Sequence, residues 1–142
     1  MRVIINRILT IVIVLIFLLA GYMKLSIRFS YELHVHLQRE FHRYVTVAPT
    51  CLFGYTPDPD NYRTLVGVSE IVLAILLLVG TRNLRILANH LLLLMMVGAF
   101  YTHCSLGDPV SQVVPPMVMT FLISWRYFTI GVFIKPDSVK QD

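Results

Sequence analysis

Glu70 stands in an apolar run, with Leu65, Val66, Gly67, Val68 and Ser69 before it and nine uncharged residues after it, as far as Val79. An ionised carboxylate in hydrocarbon costs at least ~2.5 kcal/mol, so this one must be neutralised, hydrated or used. The groups that can meet it are Lys24, His103 and, from further away, Arg126. A carboxylate paired with such a group can hold helix register, line a polar cavity or face a partner. The other reactive side chains are sparse. Cys51 and Cys104 are the two cysteines, with no Cys-x-x-Cys spacing, so dithiol redox chemistry has no pair to run on. They either form a disulfide with each other, if both face an oxidising compartment, or remain two unpaired thiols. His34, His36 and His42 lack tetrahedral spacing for a metal. His90 and His103, thirteen residues apart on one helix, would be roughly 20 Å apart. No metal, cofactor or catalytic constellation is expected.

The elements that position these residues follow from composition. Of 142 residues, 56% are hydrophobic and 14% charged, against roughly a quarter charged in soluble domains. A chain this poor in charge belongs in a membrane. The net charge of +4 is carried by Lys and Arg between apolar runs rather than in a stripe, which speaks against nucleic acid and for topology signals and lipid headgroups. The apolar runs are Ile8–Met23, Thr64–Thr81, Ile86–Gly107 and Val110–Ile134. None alternates with period two, so helices rather than barrel strands are predicted. The expected architecture is a single all-α domain over 1–142, a four-helix transmembrane bundle with spans near 7–25, 63–81, 86–106 and 111–134. A cleaved signal peptide is the lesser reading of the first run, because Lys24, Arg28 and Glu32 continue a polar helical face outward.

Four spans place both termini and the Gly80–Arg85 turn on one side, with Arg2, Arg7, Arg82, Arg85, Lys135 and Lys140. The positive-inside rule makes that side cytosolic and the 26–62 loop lumenal or extracellular. Glu70 then lies roughly 9 Å below the loop-side boundary and His103 roughly 6 Å below it. Lys24 ends the first span on the same side, and Asp108 caps the turn there. Lys24, Glu70, His103 and Asp108 are therefore the expected intramembrane polar cluster, with Lys24 the preferred partner of Glu70, then His103. Asn89 and His90 read as groups at the cytosolic helix end.

Within the loop, Leu33, Leu37, Phe41 and Tyr44 or Val45 recur at three- and four-residue steps, the signature of an amphipathic helix. It serves as a covered strut or as a docking helix. In FGYTPDPDNY (53–62), Asp58 fits an N-cap, Pro59 the first helical position and Asp60 the acidic first turn. Tyr55, Asp58, Asp60 and Tyr62 are candidates for a partner surface.

Gly21-x-x-Lys24-Leu25, FGYTPDPDNY, Gly67-x-x-Glu70 and His103-x-x-x-Gly107-Asp108-Pro109, in this order, resemble the DoxX-like superfamily from about Phe17 to Arg126. Within it the sequence resembles the transmembrane protein 35 family, the group of the novel acetylcholine receptor chaperone. FGYTPDPDNY looks closer to the family's B branch and the His103–Pro109 segment to the chaperone branch. The resemblance implies a four-helix endoplasmic reticulum membrane protein that needs no catalysis. It would help pentameric ligand-gated channel subunits, nicotinic acetylcholine receptors above all, to fold and assemble. Subunits and membrane lipids are then its partners. The rivals are a quinone- or redox-associated subunit, as some bacterial relatives are described, and a resident accessory subunit of a mature channel, which would take it to the plasma membrane.

Overall fold

The computed structural model describes the backbone of residues 2–131 and the side chains of residues 4–129. The described chain is all α: α1 (Arg2–Leu25), α2 (Tyr31–Tyr44), α3 (Pro59–Val79), α4 (Arg82–Leu106) and α5 (Val110–Gly131), with a short 3₁₀ turn at Pro49–Phe53. Three of these, α1, α3 and α4, are long and apolar enough to cross a bilayer, which makes this a multi-pass membrane protein. α1 starts five residues before the expected 7, and α3 and α4 each start four before the expected 63 and 86. Polar ends such as Asn6, Asp60 and Asn83 extend a helix past its apolar core. α5 is broken in composition by Pro115, Pro116 and Arg126. The expected end of its span at 134, with Lys135 and Lys140, lies outside the described residues.

The four long helices form a ring in which α1 packs on α3 and α5, and α4 packs on the same two. Ile13, Val14 and Phe17 of α1 meet Leu73, Ala74 and Leu77 of α3, Ala88 and Leu92 of α4, and Met119 and Ile123 of α5 on the axis. Leu15, Leu65, Leu94 and Phe128 point outward, as lipid-facing residues do. Where the surroundings are as apolar as the core, close backbone approach must supply the packing. It does so between α1 and α3. A β-carbon on Gly21 would sit 2.7 Å from the Gly67 carbonyl oxygen, and one on Gly67 would meet Lys24 Cβ at 3.1 Å.

α2 lies across one end of the ring, against α1, α3 and α4. The Ser30 side chain caps it by accepting from the Leu33 amide at 3.3 Å. Its apolar stripe docks with Phe41 and Val45 buried. His34, which is not among the stripe residues Leu33, Leu37, Phe41 and Tyr44 or Val45, is buried there as well. It sits seven residues, two turns, before Phe41, so it shares Phe41's direction. At the start of α3, Asp58 accepts from the Asn61 amide at 3.0 Å and Pro59 occupies the first turn.

Candidate functional site

Two short motifs deliver the first pair of the site. Gly21 and Gly67 bring α1 and α3 together, and Lys24 and Glu70 each lie three residues further along. The helices run in opposite directions, and long helical side chains lean toward their own N-termini. Lys24 therefore leans into the ring and Glu70 leans toward the α2 end. They meet with Lys24 Nζ 2.8 Å from Oε2 and 3.0 Å from Oε1, and Nζ also reaches the Ala20 carbonyl at 3.4 Å. Glu70 is 3% exposed. All three ammonium hydrogens are thus committed, while the carboxylate keeps unused lone pairs. Arg63, in the first turns of α3, is buried beside them. Its Nη1 donates to the Lys24 carbonyl and its Nη2 to Asp60 at 3.3 Å.

The second pair is built by a helix end. Gly107 adopts φ 67°, and the Asp108 amide donates back to the His103 carbonyl at 3.1 Å. This left-handed exit is a position that glycine fills without steric cost. It folds the Asp108 carboxylate against His103, Nδ1 to Oδ2 at 2.7 Å. A carboxylate only accepts, so His103 Nδ1 carries the hydrogen and donates. Arg43, from the exposed side of α2, donates to the other oxygen of Asp108 at 2.6 Å and to Glu40 at 2.8 Å. The hydrogen bond from His103, then that from Arg43, hold the Asp108 carboxyl below its ordinary value, since both favour the charged form. Tyr44 packs edge-on against the His103 ring at 5.2 Å.

A cavity of about 450 Å³ lies on the ring axis under α2. Lys24, Glu70, His103, Tyr44, Tyr62 and Thr102 are its polar lining residues, and the rest of its wall is mainly apolar. Asp108 does not line it and acts through His103. The four residues expected as one cluster are therefore one ion pair, Lys24–Glu70, and one hydrogen-bonded pair, His103–Asp108, of which three members share a chamber.

The expected partner surface divides. Tyr55, Asp58 and Asp60 are exposed, with Asp58 engaged as a cap and Asp60 with Arg63. Tyr62 instead turns inward, lining the cavity and packing on Phe41 with ring centroids 5.9 Å apart. It lies four residues after Asp58, and a full helical turn rather than the loop sets its direction. The cysteines are free thiols, which is the unpaired alternative of the sequence reading. Cys51 Sγ donates to the Val45 carbonyl at 3.1 Å, and Cys104 is exposed on α4. Among the described residues no three His, Cys, Asp or Glu side chains gather as a metal site.

A further polar site lies at the other end of the ring. Arg126 is 3% exposed. It donates from Nε to Thr10 Oγ1 at 2.9 Å and from Nη1 to Asn89 Oδ1 at 2.8 Å. Asn89, expected at a helix end, is a fully interior group that also reaches the Ile123 carbonyl at 3.5 Å. The signal in the sequence was an arginine and an asparagine in two apolar runs, but nothing in their spacing joins them. Residues 8–125 match the model of the DoxX-like family.

Proposed function

The chain belongs to the DoxX-like family, and on that premise we propose that it is an endoplasmic reticulum membrane chaperone for subunits of pentameric ligand-gated channels of the nicotinic type. In this reading α5 is the fourth span, both termini are cytosolic, and α2 with its loop lies in the lumen. The observation that carries the proposal is the Lys24–Glu70 pair, set at the α2 end among helices whose outer faces are apolar. Unassembled channel subunits expose membrane helices that carry polar groups, and such helices associate through packing and interhelical polar contacts. A bundle with apolar flanks, an internal ion pair and an exposed loop carrying Tyr55, Asp58 and Asp60 offers both kinds of contact without catalysis. The transmembrane protein 35 motifs in the sequence support the same client class. The test is co-expression with nicotinic receptor subunits. Surface receptor should rise several-fold over subunits alone, and detergent purification should recover immature subunits but not assembled pentamers. Unchanged surface receptor with no recovered subunits rejects the proposal.

A second reading, a quinone- or redox-associated subunit, is favoured by a cavity that both Glu70 and His103 line. Organic extraction of the purified protein distinguishes it, since a stoichiometric redox-active lipid supports this reading alone.

A further inference from the structure

The geometry points to the chamber under α2 as a binding site for an uncharged, hydroxyl-headed lipid that enters from the bilayer. Its volume of about 450 Å³ falls in the usual range for small-molecule sites, roughly 300–1,000 Å³. That space suits one sterol or one single-chain lipid and is too small for a diacyl phospholipid. The lining argues for entry from hydrocarbon. Ile16 of α1 and Leu94 of α4 both line the chamber and are exposed, Leu94 by 68%. Both lie well inside their spans, so the rim they form faces lipid tails. Deeper in, Phe17, Met95, Met96 and Met119 make an apolar wall, and methionine adapts to irregular shapes.

The polar end selects the head. Lys24 has its three hydrogens committed to Glu70 and the Ala20 carbonyl, so the pair is already neutralised and offers little to a charged headgroup. What remains is mixed in sense. Glu70 retains lone pairs that only accept. Tyr62 carries a hydroxyl with no protein partner among the described residues. A carbonyl head would accept from Tyr62 but leave the carboxylate unserved. A hydroxyl can donate to Glu70, which a carbonyl, ether or ester head cannot do. Sterols and monoacylglycerols share this chemistry.

The inference does not depend on the chaperone reading and is tested without a client. The full chain, in phosphatidylcholine nanodiscs, is irradiated with a photoreactive diazirine sterol, a photoreactive monoacylglycerol or a photoreactive phosphatidylcholine. At least one hydroxyl-headed probe should label saturably, with adducts on the peptide holding Met95 and Met96 or on that holding Met119. The unlabelled parent lipid should compete and its O-methyl ether should not. Ala99→Phe, which fills the chamber, should abolish the saturable labelling. Whichever of the two probes labels identifies the source of the head. Non-saturable labelling by both, equal competition by the methyl ether, or equal labelling of these peptides by phosphatidylcholine overturns the proposal.

Discussion

Removing the Glu70 carboxylate should show how much of the bundle rests on its pair with Lys24. In Glu70→Ala the ammonium loses contacts of 2.8 and 3.0 Å and keeps only the Ala20 carbonyl at 3.4 Å. Breaking one side of a buried pair costs about 3–5 kcal/mol. Lys24 retains 17% side-chain exposure and can bend its head toward the headgroups, so the lower end, about 3 kcal/mol, is expected. Glu70→Gln keeps the shape and one acceptor. The ion pair with its two hydrogen bonds is replaced by one bond from the ammonium to a neutral amide oxygen, a loss of about 1–2 kcal/mol. Lys24→Met with Glu70→Met removes both charges, fills similar space and should lie within about 1 kcal/mol of the parent. The cycle therefore predicts a coupling of about 2 kcal/mol or more. The assay is unfolding by SDS in mixed micelles, followed through the single tryptophan, Trp125. If Glu70→Ala and Lys24→Met each leave the midpoint unchanged, the pair contributes nothing to folding and the reasoning fails. Should the double variant fold like the parent yet fail to raise surface receptor, the charges serve the client rather than the fold.

Gly107→Ala meets no neighbour, since no atom lies within 4 Å of the added β-carbon, but φ is 67°. The left-handed conformation should cost about 1 kcal/mol in the same unfolding assay, whereas Gly98→Ala, whose nearest atom is Pro49 Cγ at 3.5 Å, should be nearly neutral. Asp108 titrates below its ordinary value of 3.8, so its contribution is full above that value and is lost as pH falls through the lower folded value. Unfolding midpoints of the parent and Asp108→Asn should differ at pH 7 and converge on acidification, and a constant gap down to pH 2.5 refutes the assignment. Maleimide should modify exposed Cys104 faster than half-buried Cys51, with no reductant needed for either; a requirement for reductant would reveal a disulfide. In sealed microsomes a tag after Asp142 should be digested by added protease, and its protection would invert the proposed topology.

Much of this arrangement could be read from the chain because the membrane restricts the choices. An apolar run with one carboxylate demands a helix and a partner, and Lys24 is the cation at the matching depth. Asp58-Pro59 announces a helix start by chemistry confined to four residues. His103 and Asp108 are five apart across a glycine, within one turn. Arg43 is different: its bond to Asp108 spans 65 residues and depends on where α2 docks, which a period of 3.6 does not specify. Tyr62 is similar: Asp58-Pro59 fixes where its helix starts, but its inward turn onto Phe41 depends on where α2 docks. The Arg126–Asn89–Thr10 site joins three helices through hydrogen bonds between side chains of ordinary type. Nothing local in the sequence marks such partners.

That buried arginine bears on how the protein is made. An arginine costs about 2.5–3.5 kcal/mol at the centre of an isolated span and less toward its end, where Arg126 lies, and α5 also carries two prolines. Its guanidinium finds its oxygens on α1 and α4, both synthesised earlier. α5 should therefore enter the membrane poorly by itself and well once Thr10 and Asn89 are waiting for it. With α5 as the fourth span proposed above, it would be held near the translocon until α1, α3 and α4 have assembled, and Asn89→Leu would lengthen that delay. Arg126 then acts as an assembly checkpoint: a chain whose earlier helices have not closed leaves an unpartnered cation exposed to membrane quality control.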